Sequence, residues 1–85
     1  MTRRMTNDEA IDLIETVFEQ GVDGIATGMI DATVADMDVQ RAQADIDSFL
    51  AMYPGQIDPE TIEVHSDRSD ETDLPMVRVI IKTEG

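Results

Sequence analysis

The residues with the greatest capacity for chemistry are the carboxylates of a polar stretch in the last third of the chain. This stretch, residues 66–73, carries Asp67, Asp70, Glu71 and Asp73. Carboxylate oxygens of this kind bind Ca²⁺, but an EF-hand loop needs acids at alternate positions, a central Gly and a terminal Glu. Because that spacing is missing, we interpret the stretch as an exposed, solvated hairpin loop and predict no metal site.

Two closely spaced carboxylate pairs are the next candidates, here for acid–base catalysis. They are Asp36 with Asp38 and Asp45 with Asp47. Residues two apart on a helix do not face each other, and no nucleophile or electrophile accompanies either pair. His65, the single histidine, alternates with apolar neighbours and is expected to point outward without a catalytic partner.

Three closely spaced glycines could indicate a phosphate-binding loop. Gly21, Gly24 and Gly28 match neither the dinucleotide-binding nor the P-loop spacing, and no Lys follows them. The chain contains no cysteine, which removes thiolate metal ligands, disulfides and a Cys nucleophile. We therefore predict no catalytic residue, no cofactor and no metal, and we expect that the protein is not an enzyme.

The net charge is large, and the set of acidic and basic residues that produces it is unusual. Nineteen acidic residues against six basic ones give a formal net charge of −13 over 85 residues, and Lys82 is the single lysine. Such a surface repels itself in dilute buffer, whereas at molar salt the Debye length falls to about 3 Å and the repulsion is largely screened. The composition resembles that of acidic proteins from salt-loving archaea, which implies synthesis in the cytoplasm of a high-salt cell.

The composition also limits the class of partner. The basic residues are scattered, without the cluster of cations and aromatic rings that nucleic-acid binding requires. No apolar run approaches the roughly 18 residues of a membrane span, and the pair Arg3–Arg4 is not followed by the apolar segment of an export signal. A core with only three aromatic residues is small, and a partner or further copies often complete such a core. We expect protein partners, either copies of the chain or neighbours in a larger complex, and no direct contact with nucleic acid or membrane.

The pattern predicts an α+β fold in which two amphipathic helices, with a possible short hairpin between them, pack with a C-terminal antiparallel strand pair. We expect one small domain over residues 1–85. It would comprise an N-terminal tail to residue 6, a helical part over 7–53 and a β-hairpin over 60–83.

The first helix is predicted over about residues 7–20. Thr6 and Glu9 fit a capping box, and apolar residues follow at helical spacing from Ala10 to Phe18. Gly21 is expected to supply the left-handed C-terminal stop.

The segment from Val22 to Met37 is compatible with either a helix or a short hairpin. We favour a hairpin with Thr33 and Val34 on one arm, Asp38 to Gln40 on the other, and a turn near Asp36 and Met37.

The second helix is predicted over about residues 40–53, because its apolar stripe from Val39 to Tyr53 ends at Pro54–Gly55. Period-two alternation then predicts strands over residues 61–65 and 76–82.

The final strand is expected to leave one edge open, where another chain could pair. Its apolar face and the stripe of the first helix are therefore the candidate partner interface. The residues are Val77, Val79, Ile81, Leu13 and Val17.

One part of the chain is similar to a known family. An amphipathic helix, the segment Gly24–Gly28, the segment Ala32–Ala42 and a second amphipathic helix follow one another, with Arg41–Ala42 opening the second helix. Over roughly residues 8–53 this order resembles the small W-type head-completion (head–tail joining) proteins of tailed phages. The resemblance implies a structural role in a ring of copies at the connector or tail of a virus that infects a halophilic archaeon.

Two hypotheses of function remain. The first is a non-enzymatic assembly protein, as a virion component. The alternative is a cellular partner-binding or regulatory module, comparable to an antitoxin.

The acidic composition leads to a first prediction. We expect the melting temperature by circular dichroism to be higher in molar KCl than in dilute buffer, because screening removes self-repulsion from the folded state. Each kcal/mol gained raises the midpoint of a domain of this size by about 4–8 °C. NaCl at the same ionic strength should act alike, and an unchanged midpoint would remove the halophilic interpretation.

Overall fold

The computed structural model describes residues 2–68, 70–71 and 73–84, and its elements follow one another as helix, hairpin, helix and hairpin. The α+β prediction, with two helices and a C-terminal antiparallel strand pair, is confirmed. A short 3₁₀ turn, Pro59–Thr61, precedes the second hairpin. The helices and strands are α1 Asn7–Val17, β1 Gly24–Ala26, β2 Met29–Ala35, α2 Val39–Leu50, β3 Ile62–Arg68 and β4 Pro75–Lys82.

The four strands form one antiparallel sheet in the order β1-β2-β4-β3. Strand β4 pairs with β2 from Met76 to Lys82 and with β3 from Pro75 to Ile81. The prediction that the final strand leaves an edge open is therefore wrong. The first hairpin supplies a second partner strand, so the outer strands are β1 and β3.

The core lies between one face of the sheet and the two helices. Alternate residues of β2 and β4 point into it, and none of these is more than 2% exposed. From the helices, the core receives fully buried side chains such as Leu13, Ile14 and Ile46. The inward residues of the two central strands are Ile30, Ala32, Val34, Val77, Val79 and Ile81.

Helix α1 begins as predicted but ends earlier. The Thr6 hydroxyl accepts a hydrogen bond from the Glu9 amide (3.2 Å), and the Glu9 carboxylate accepts one from the Thr6 amide (3.0 Å). This capping box is confirmed. The left-handed residue after the helix is Glu19, with φ 56°, rather than Gly21. Residues 18–23 then carry the chain from the helix layer to the edge of the sheet.

The ambiguous segment after α1 contains a hairpin, but the predicted arms and turn are wrong. Its strands are β1 and β2, and Gly28 provides the turn with φ 86°, a conformation that glycine adopts without steric cost. Asp38 does not belong to a strand. Its carboxylate accepts a hydrogen bond from the Arg41 amide (2.7 Å) and thereby caps the start of α2.

The remaining boundaries differ from the prediction by a few residues. Helix α2 starts at Val39 and ends at Leu50, three residues before the predicted end, and a series of turns leads to Pro54–Gly55. Strand β3 extends to Arg68, which shortens the predicted loop over 66–73. Ser69 and Thr72 of that loop lie outside the described residues.

The N-terminal segment, predicted as a tail to residue 6, instead joins two parts of the fold; Met1 lies outside the described residues. Arg3 forms a parallel bridge with Ile57, and Met5 forms one with Thr83. The Met5 side chain is fully buried. The Thr83 hydroxyl, also buried, donates a hydrogen bond to the Asn7 side chain. This segment therefore ties the end of β4 to the turn region before β3.

The central place of β4 leads to a prediction about stability. We expect Val79→Asp to unfold the chain in molar KCl, because an unpaired carboxylate buried in the core costs several kcal/mol, comparable to the whole stability of a small domain. Val79→Ala should lower the free energy of unfolding by about 1–3 kcal/mol. Chemical denaturation followed by circular dichroism measures both changes.

The matched control is His65→Asp, which places the same carboxylate on an exposed position of the neighbouring strand. It should change the free energy of unfolding by about 0.5 kcal/mol or less. Cooperative unfolding of Val79→Asp at the wild-type midpoint would contradict the central, buried position of this residue.

The N-terminal ion pair leads to a prediction about pH. The Arg3 guanidinium donates hydrogen bonds to Glu9 at 2.6 and 3.0 Å, and together with the Thr6 amide it lowers the pKa of Glu9 to about 2. Because the pKa is lower in the folded state, the contribution of Glu9 is present above its ordinary pKa near 4.5 and is lost as the pH falls toward 2.

Glu9→Gln should therefore destabilise the fold at neutral pH by about 0.5–1 kcal/mol, the range for partly exposed ion pairs. The difference from wild type should shrink as the pH falls through about 2 and vanish below it. Urea unfolding in molar KCl at several pH values measures it, with the exposed Glu15→Gln as control. A difference that does not change with pH would contradict a role for the Glu9 charge.

Candidate functional site

The residues predicted as a partner interface lie mostly inside the folded chain. Leu13, Val77, Val79 and Ile81 are all fully buried in the core, and they cannot form a surface for a partner of the folded chain. Their apolar character reflects packing between the sheet and the helices. Val17 is half-buried and lies at the surface, in a groove between the helices.

This groove, the helix groove, runs between α1 and α2 and has a volume of about 460 Å³. Its apolar lining comes from Val17, Phe49 and Met52, and the Met52 side chain is 66% exposed. Asp12 on α1 and Asp45 on α2 belong to the polar part of the lining, as does Arg41. The arrangement offers an apolar concavity with a mixed, mainly acidic margin.

The second exposed surface is the face of the sheet opposite the helices, which we call the open face. It is made by the alternate residues of the strands that do not point into the core. On β4 these are Met76, Arg78, Ile80 and Lys82, of which Arg78 and Lys82 are exposed and the other two half-buried. No residue that the structure describes covers this row enough to bury it.

The neighbouring strands place carboxylates beside the β4 row. Asp31 on β2 and Glu63 on β3 both lie opposite Ile80, and Asp67 lies opposite Met76. His65 lies opposite Arg78 and is exposed, as the alternation predicted. Strand β2 adds the exposed apolar residues Met29 and Ala35 to the same face.

One ion pair holds the centre of the open face. Arg78 donates hydrogen bonds through Nε and Nη2 to the two carboxylate oxygens of Asp31, at 3.3 and 2.7 Å. These hydrogen bonds lower the pKa of Asp31 and raise that of Arg78. A bidentate pair of this kind fixes both side chains, so the middle of the open face is both ordered and close to neutral.

The acids considered above as metal or catalytic groups remain apart. Among the described residues no three of His, Asp and Glu lie together in a geometry that could hold a metal ion. Asp38 serves as a helix cap, and Asp47 accepts a hydrogen bond from the Gln43 side chain at 3.1 Å. Within the part of the chain that the structure describes, no helix is both long and apolar enough to cross a bilayer.

The sequence pattern pointed to one residue of the helix groove, Val17, but to neither surface as a whole, although a signal for the open face was present. Alternation assigned Val77, Val79 and Ile81 to one face of the last strand, and the same alternation places Ile80 and its row on the other face. The helix groove has no such signal, because Phe49 and Met52 belong to an apolar stripe that is indistinguishable from core until α1 is placed beside it.

Comparison of the chain with protein-family models, with curated proteins and with solved structures gives no match. The chemistry of the two surfaces is therefore the basis for a proposal of function.

Proposed function

We propose that the protein is a non-enzymatic assembly protein, which acts by binding other protein surfaces in concentrated salt. The observation that carries this proposal is the open face, which keeps Ile80, Met76 and Met29 at the surface around an ordered ion pair. A sheet face with apolar side chains and both signs of charge can bury apolar area and form ion pairs with a protein partner.

The charge of the chain specifies the conditions for this binding. At a net charge of −13 the protein repels other acidic proteins in dilute buffer, whereas molar salt screens this repulsion beyond about 3 Å. Apolar contact and hydrogen-bonded ion pairs act at shorter range and persist. Nucleic acid and anionic membrane are poor partners for such a surface, so we propose protein partners alone.

We further propose that the assembly is a virus particle, at the head–tail connector or tail of a tailed virus of a halophilic archaeon. The support is the resemblance to W-type head-completion proteins, together with the order helix, hairpin, helix over residues 7–50. Arg41 and Ala42 lie in the first turn of α2, and the Ala42 side chain is buried. Strands β3 and β4 add to this unit a second hairpin that the resemblance does not include.

The helix groove favours a second candidate, a cellular partner-binding or regulatory module. An apolar concavity of about 460 Å³ could receive one or two side chains of a partner helix. Such a module would act as a monomer or dimer on a cellular protein.

The proposal is tested by the molar mass of the purified protein. We expect size-exclusion chromatography with light scattering in molar KCl to give a molar mass that rises with loading concentration from 9.4 kDa toward a whole-number multiple of it. The control is the same measurement in dilute buffer, where repulsion should reduce the mass. A chain that stays monomeric over about a hundredfold range of concentration contradicts self-assembly and favours the second candidate.

A further inference from the structure

We infer that the partner of the open face is the open face of a second copy of this chain, stacked sheet on sheet. This inference rests on the proposed assembly function and adds to it the surface and the partner. It is carried by the distribution of charge, by the residues on the face and by its area.

The distribution of charge is strongly uneven between the two sides of the molecule. The open face carries three carboxylates, Asp31, Glu63 and Asp67, against the two cations Arg78 and Lys82. Asp23, just before β1, also lies close enough to Arg78 to raise its pKa, so the net charge is −2 out of the −13 of the chain. Helix α1 alone carries four acids and no base between Asn7 and Val17. Two identical acidic chains therefore meet less repulsion when they approach through their open faces than through the outer side of α1.

The residues on the open face are complementary to themselves. Its central strand carries cations, and the strands on either side carry acids, so a two-fold arrangement can bring Lys82 of one copy near Glu63 or Asp67 of the other. Lys82 is exposed and has no carboxylate within 4 Å among the described residues. Opposite charges on one surface are what an isologous interface needs, because the same patch serves on both sides.

The apolar residues of the open face lie between its charged residues and would supply the apolar contact between two stacked copies. Ile80 and Met76 are half-buried, and the Met29 side chain remains 41% exposed on the adjacent strand. Stacked sheets lie about 10 Å apart with interleaved side chains. In that arrangement, Ile80 lies near the middle of the buried area, flanked on its own sheet by Asp31 and Glu63.

The area of the open face sets the expected strength of the contact. The four strands have 3, 7, 7 and 8 residues, 25 in all, and at about 3.3 Å by 4.8 Å per residue they give a flat area of about 400 Å² per copy. Two copies thus bury about 800 Å² before side-chain relief is counted, which is below the roughly 1,000 Å² of a stable specific interface. The association should therefore be weak and dependent on concentration, and it should be stronger in molar KCl than in dilute buffer.

The experiment compares two variants with the same change of charge. Ile80→Lys places a cation in the middle of the open face, where Asp31 and Glu63 accommodate it in the single chain. Met52→Lys is the matched control in the helix groove, at a side chain that is 66% exposed. Sedimentation equilibrium in molar KCl over a range of concentrations measures self-association, and circular dichroism verifies that each variant is folded.

We expect wild type and Met52→Lys to associate alike, and Ile80→Lys to associate at least about tenfold more weakly, because it buries a charge in the contact. If Ile80→Lys fails to fold, Ile80→Thr removes apolar area at the same position and should weaken association in the same direction.

The other results overturn the inference and separate it from the assembly function. If Ile80→Lys associates like wild type and Met52→Lys does not, the assembly proposal stands and the interface is the helix groove. A wild-type chain that is monomeric throughout overturns self-association through the open face, and it leaves assembly with a different protein to be decided by binding. A wild-type monomer that binds a different protein through Ile80 assigns the open face to a different partner and overturns self-association.

Discussion

The double pairing of β4 is the constraint on which the rest of the structure depends. Its backbone hydrogen-bonds to β2 on one side and to β3 on the other, so it must lie in the interior of the sheet. Because successive side chains of a strand point to opposite faces, Val77, Val79 and Ile81 then form the floor of the core. The helices cover that floor, and the N-terminal segment holds the end of the strand through Met5 and Thr83.

This arrangement also divides the surface into two chemically different sides. The helix side exposes the acids of α1 and α2, which hydrate strongly and repel other acidic surfaces. The open face combines apolar residues with the Asp31–Arg78 pair and has little net charge. The chain thus has one face with little net charge, while the rest of the surface carries most of its negative charge. Our functional proposals follow from this contrast.

The elements that local interactions determine were predictable. The capping box at Thr6 and Glu9 fixed the start of α1, and period-two alternation located β4 to within one residue at its start. The hairpin between the helices was predicted as an element, but its register was wrong. Asp38 can either extend a strand or cap a helix, and its carboxylate is satisfied by the Arg41 amide only once α2 forms at Val39. The end of α1 also depends on the fold, because residues 18–23 must connect the helix to β1 at the edge of the sheet.

The sequence by itself determined the α+β class, the order of helices and strands, the apolar rows and the acidic character, because each is a matter of composition or short-range periodicity. Only the tertiary structure decided which apolar rows are buried. Val77, Val79 and Ile81 looked available to a partner as long as β4 was taken as an edge strand, but the helices cover the face on which they lie and make them core. The pairing of β2 with β4 joins residues more than forty positions apart, and short-range sequence periodicity does not predict a contact at that separation. The open face and the helix groove exist for the same reason: both are made by elements that are distant in sequence and meet only in the fold.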